Sequence, residues 1–182
     1  MGSPSHPAEA GLAVAERAAL SSYPFARPAV ETMERLYFAY GSNMSSPRLR
    51  ARVGGARPLG VARLADHALA FDKRGRDGTG KANVVGSPGR WTWGVVWSLS
   101  GPALDDLDRF EPGYRRMECP VHLTFGRVRT ASTYLRIGAP SDLAPAAWYV
   151  QHILAGAREH RLPAHWCALL EEALRGARAS RR

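Results

Sequence analysis

Apolar and polar positions change their spacing along this chain, and each change predicts an element. The run Leu36-Tyr37-Phe38-Ala39-Tyr40 is apolar and aromatic throughout, as in a short buried strand, and Gly41-Ser42-Asn43 breaks it. Ser45 or Ser46 then stands where a short helix needs its N-cap, with Pro47 in the first turn. Weak alternation over residues 67–71, a short run at 82–85 and the aromatic, β-branched stretch 91–99 predict three more strands. Ser100-Gly101-Pro102 opens a helix with Leu104, Leu107 and Phe110 on one face, and Asp105 and Asp106 come early, where the dipole favours them. Residues 114–125 and 128–137 read as a long hairpin turning at Gly126-Arg127. Two helical patterns follow, 146–159 and 163–175, parted by Arg161-Leu162-Pro163.

Residues 1–34 stand apart from this pattern. Pro4, Pro7, Pro24 and Pro28 interrupt them and leave room for one Ala-rich helix near residues 8–20, so they read as a flexible or partly helical extension. Residues 35–182 read as a single domain, with strands in the middle and helices towards the end. That order predicts an α+β fold, a mixed or antiparallel sheet closed as a small β-barrel with flanking helices.

Composition narrows the class. The 182 residues are 45% hydrophobic, a globular balance, and no stretch approaches the roughly 20 apolar residues of a membrane span. The N-terminal residues lack the basic start and apolar run of a secretory signal. The expectation is a cytoplasmic protein without a membrane partner. Cys119 and Cys167 are the only cysteines and lack metal or redox spacing, which suits a reducing compartment. The net charge of +9 comes almost wholly from arginines scattered along the chain; only Lys73 and Lys81 are lysines. No nucleic-acid-binding motif accompanies them, so nucleic acid is not the expected partner, although Arg48, Arg50, Arg52 and Arg57 gathered on one face would favour it.

Two places carry candidate chemistry. Glycine after a strand, as in Tyr40-Gly41-Ser42-Asn43-Met44, lets backbone approach a ligand, and the following amides together with the Ser42 hydroxyl can hold a carboxylate. By itself such a turn is more often a plain turn than a binding site. Glu111 follows the predicted helix, where the dipole disfavours a carboxylate and raises its pKa, and Pro112-Gly113 stops the helix. It reads either as a solvated surface residue or as an acid/base group. His67, His122, His152, His160 and His165 form no zinc spacing, and no metal or other cofactor is expected. The segment 75–81 lacks the phosphate-loop pattern and reads as a flexible loop at a cavity mouth. Trp91, Trp93 and Trp97 fall on one strand face and read as core.

Taken together, these segments resemble a known family. The stretch Leu36-Tyr37-Phe38-Ala39-Tyr40-Gly41-Ser42-Asn43-Met44 resembles the signature loop of the gamma-glutamylcyclotransferases. Gly80-Lys81-Ala82-Asn83-Val84-Val85, Trp93-Gly94-Val95-Val96-Trp97 and Leu107-Asp108-Arg109-Phe110-Glu111 follow in the family's order. The C-terminal stretches from Tyr149-Val150-Gln151-His152-Ile153 to Leu162-Pro163 complete the likeness, which runs from about Leu36 to Leu170.

The resemblance implies a six-stranded barrel with a cavity at one end. It also implies an enzyme that closes a gamma-glutamyl group into 5-oxoproline and frees an amine, without a cofactor. Its catalytic glutamate corresponds to Glu111. Its substrate loop corresponds to Tyr37, Phe38, Ala39, Tyr40, Gly41, Ser42 and Asn43, with Tyr149 and Tyr134 as further pocket residues. The expected partner is a small gamma-glutamyl molecule, and the expected assembly a monomer or homodimer. One departure stands out: the family usually has glycine directly after the glutamate, whereas here Pro112 precedes Gly113. A non-catalytic binding module on the same fold is therefore the alternative reading.

Overall fold

The computed structural model describes residues 34–179. The extension and the Ala-rich helix expected in it thus lie outside the described residues, apart from Glu34, which begins the first strand. Among the described residues five strands form a closed barrel in the order β1-β3-β2-β4-β5, where β1 is Glu34–Ala39, β2 Arg57–Arg74, β3 Gly80–Ser100, β4 Tyr114–Leu123 and β5 Val128–Arg136. Four α-helices accompany them: α1 Ser46–Arg50, α2 Gly101–Asp108, α3 Ala147–Glu159 and α4 Ala164–Ala179. All neighbouring strands run antiparallel except β1 and β5, whose parallel contact closes the barrel at Tyr37 and Ser132.

The expected six strands become five because the predicted pieces 82–85 and 91–99 belong to one long strand, β3. Its ladder with β2 is interrupted between the pairs Ala65–Trp91 and His67–Gly86, opposite Asp66 at φ 54°. Further register shifts fall between Pro58 and Gly60 and between Ala70 and Lys73. Such bulges bend and twist a long hairpin, and a small barrel needs that curvature to close. The β1–β5 seam has few ladder bonds and is secured by side chains. Thr133 Oγ1 donates to the Phe38 carbonyl at 2.9 Å, and the Tyr40 hydroxyl donates to the Tyr134 carbonyl.

Phe38, Trp97, Leu99, Leu107, Val150 and Ile153 are fully buried and join the barrel to α2 and α3. Of the three tryptophans expected in the core, only Trp97 is fully buried; Trp91 and Trp93 are half-covered, with the Arg63 guanidinium over both rings. Phe110, expected on one face of α2 with Leu104 and Leu107, lies beyond the helix and is exposed, because the helix ends at Asp108. Ser100 caps that helix, its Oγ accepting from the Ala103 N–H at 3.2 Å. Neither Ser45 nor Ser46 caps α1 through its side chain. Glu159 of α3 supplies the acceptor instead, 3.1 Å from the Ser46 N–H. Among the described residues no helix is long and apolar enough to cross a membrane.

Candidate active site

The chain leaves β1 at Ala39 and turns at Gly41 into a single 3₁₀ turn, Ser42–Met44. The N–H groups of Ser42 and Asn43 open this turn and so have no acceptor within it. A Cβ on Gly41 would stand 3.3 Å from the Ala82 Cβ and 3.5 Å from the Tyr149 hydroxyl, so the turn sits tightly against β3 and α3. Tyrosines secure that contact. Tyr149 accepts from the Ala82 N–H at 3.1 Å, and Tyr114 donates to the Ala82 carbonyl at 2.6 Å.

Glu111 arrives from the other side. After α2, three successive tight turns carry the chain through Arg109, Phe110 and Glu111, and Gly113 at φ +79° directs it into β4. Pro112 does not turn Glu111 away. Its carboxylate Oε1 accepts from Asn43 Nδ2 at 2.9 Å and from Arg52 Nη1 at 2.7 Å, with the side chain only 15% exposed. The same Asn43 amide donates to the Tyr37 hydroxyl at 2.9 Å and accepts from Arg52 at 3.0 Å, so all its bonds agree on one orientation. Burial pushes the Glu111 pKa above the ordinary carboxylate range, while Arg52 and Asn43 pull it back; the net direction is up. Burial also raises Tyr149, to about 12, which keeps that phenol neutral at ordinary pH.

Tyr37, Tyr40, Tyr134 and Tyr149 meet Gly41, Ser42, Asn43 and Glu111 around one narrow inner pocket of about 30 Å³. It opens through Ser42, Glu111, Tyr114 and Tyr149 onto a vestibule of about 440 Å³. Phe38 and Ala39 do not line it. Phe38 is on the opposite strand face from Tyr37, with its ring against Gly94, and the short Ala39 side chain stays in the core. Tyr134 stands edge-on to Tyr37 and donates to Asp108 at 2.7 Å.

Sequence reasoning missed Arg48, Arg52, Tyr114 and Ala82. In the sequence the first two stand only among the basic residues Arg48, Arg50, Arg52 and Arg57, which do not gather as one free basic face. Arg52 binds Glu111, Arg48 donates to Ser42 Oγ at 3.0 Å, Arg50 reaches the Ala56 carbonyl, and Arg57 pairs with Glu34. Their i, i+4 spacing was the available signal, since it sets Arg48 and Arg52 on one side of α1 and the turn after it. The segment read as a flexible loop is a closed turn. Gly75 N–H donates to the Thr79 carbonyl at 2.8 Å, and Lys81 bridges Asp77 and Thr79.

A family model described as the AIG2-like family matches residues 92–170. The gamma-glutamylcyclotransferase of Bos taurus is 35% identical over 137 residues, covering 70% of this chain and 72% of that protein. The Homo sapiens protein of the same name is 36% identical over 137 residues, with the same coverage. Among solved structures, a gamma-glutamyl cyclotransferase superposes with a TM-score of 0.72 at 32% sequence identity, covering 76% of this chain and 86% of that one.

Proposed function

This chain belongs to the gamma-glutamylcyclotransferase family, and from that premise and the pocket geometry we propose that it cyclises a gamma-glutamyl amide to 5-oxoproline with Glu111 as its acid/base group. The observation that carries the assignment is the meeting of Glu111 with the Gly41–Asn43 turn through Asn43, at 2.9 Å.

The substrate's own α-amine attacks its own γ-carbonyl, so positioning supplies much of the catalysis, up to about 7–11 kcal/mol for a well-held conformer. The amides of Ser42 and Asn43, which have no acceptor within the turn, and the Ser42 hydroxyl take the α-carboxylate in the inner pocket, with Arg48 behind Ser42 adding positive charge. This fixes the α-ammonium beside Glu111. The ammonium gives one proton to the carboxylate, and its nitrogen bonds to the γ-carbonyl carbon. The bond from that carbon to the departing nitrogen then breaks as this nitrogen takes the proton back from Glu111. The ring nitrogen loses its second proton to solvent, and the freed amine recovers one, so protons balance. Glu111 is suited to both directions because burial raises its proton affinity towards neutrality while Arg52 keeps it able to ionise.

Residues 35–182 act as one catalytic domain in this reading, without metal or nucleotide. Both cysteines are free, which supports a reducing compartment such as the cytoplasm, and a monomer or homodimer suffices because one chain supplies the whole site. The test is a panel of gamma-glutamyl amides assayed for 5-oxoproline. Release from at least one is expected; binding without turnover across the panel would instead establish the non-catalytic module.

A further inference from the structure

The vestibule carries an unbalanced charge. Six cationic side chains line it, Arg48, Arg52, Lys73, Arg76, Lys81 and Arg109, against two carboxylates, Asp77 and Glu111. Three of the cations are engaged: Arg52 with Glu111 at 2.7 Å, Lys81 with Asp77 at 2.7 Å and Arg109 with Asp106 at 3.1 Å. Arg48, Lys73 and Arg76 have no carboxylate partner among the described residues; Arg48 meets Ser42, and Lys73 stands over the Tyr114 ring at 5.1 Å. Arg48 and Lys73 are also half-buried, and burial pulls both pKa values down, the mark of cations placed where water serves them poorly. A bound anion would relieve that cost.

The anchored half of the substrate accounts for only one of the three. Its single α-carboxylate, held at the Ser42 turn, is within the province of Arg48. Lys73 and Arg76 line the vestibule but not the inner pocket, so they face the departing half. Trp148 and Phe110 line the same space, are exposed, and give it apolar walls. Resting on the cyclotransferase reading, we propose that the leaving amine carries two negative charges, as in an amino acid with a second acidic group, and that Lys73 and Arg76 select it.

The test compares kcat/KM for gamma-glutamyl-ethylamide, gamma-glutamyl-alanine and gamma-glutamyl-glutamate, whose leaving amines present none, one and two carboxylates. Rates should rise with charge, with glutamate over alanine by about tenfold, the scale of one charge-assisted hydrogen bond. In Lys73→Met/Arg76→Gln that ratio should collapse towards one, and in the wild type it should shrink as salt rises from about 0.05 to about 0.5 M. Arg76 is exposed, so Arg76→Gln alone should fold normally and lower the ratio, which keeps the test open if the double variant is unstable. Turnover of all three without charge order, or a preference that survives Arg76→Gln and high salt, overturns the inference alone. No 5-oxoproline from any of the three overturns the activity and the inference with it.

Discussion

Arg52 Nη1 lies 2.7 Å from Glu111 Oε1 and 3.0 Å from Asn43 Oδ1, so one guanidinium nitrogen holds both the carboxylate and the amide that orients it. Asn43 also donates to Oε1, and Oε2 is left without a hydrogen bond among the described residues. The two oxygens therefore differ: one is fixed by its neighbours and the other is left to exchange a proton.

That arrangement sets the pH response. A base must be ionised in the free enzyme, so kcat/KM should rise with pH through the Glu111 pKa, and burial places this limb above the ordinary carboxylate range. Arg52 acts oppositely, by its charge and by its hydrogen bond. In Arg52→Gln the acid limb should therefore move further up in pH. A profile that moves down or stays in place would sink the role given to this ion pair.

Glu111→Gln keeps an oxygen that still accepts from Asn43 and Arg52 but cannot take a proton from an ammonium. Turnover should fall by at least about 10²-fold, the usual scale for a single acid/base group. Thermal unfolding and binding of 5-oxoproline should change little. Near-normal turnover in this variant would remove Glu111 from the mechanism.

Tyr149→Phe should act on binding more than on chemistry. The hydroxyl accepts from the buried Ala82 N–H, and losing it strands that donor at a cost of about 1–3 kcal/mol. Because the turn at Gly41 rests against the same pair, KM should rise severalfold with a smaller change in kcat. An unaltered KM together with an unaltered melting temperature would show that the contact has no weight.

Gly156 tests how α3 supports the loop. A Cβ there would lie 2.5 Å from the Met44 carbonyl carbon and from the Ser45 nitrogen, backbone atoms that cannot rotate aside. Gly156→Ala should destabilise by about 1–3 kcal/mol, the range for overpacking, and should lower activity by displacing the turn that carries Asn43. Unchanged melting and activity would mean that helix and loop are not rigidly joined.

The sequence alone determined much of this. Local chemistry is written in short stretches, so the aromatic strand ending in Gly41-Ser42-Asn43, the helix opened by Ser100 and the two C-terminal helices were legible. The likeness around Glu111 also pointed to a carboxylate in the pocket. The length of β3 was not legible, because Pro88-Gly89 interrupts the pattern and only the pairing of Gly86 and Trp91 with β2, on either side of Asp66, joins the two pieces into one bent strand. Phe110 followed a helical period that outlasted the helix, and it stands instead as an exposed wall of the vestibule. Arg48 and Arg52 are the sharpest case. In sequence they are two more arginines in a basic chain, and their role depends on α1 lying beside a corner of the chain some 60 residues later, with Arg52 and Glu111 separated by 59 positions. The charge of a residue is local information, whereas its counter-ion is chosen by the fold. The identity of the candidate base came from the sequence, and its proton affinity was decided by the burial and the guanidinium that tertiary packing brought to it.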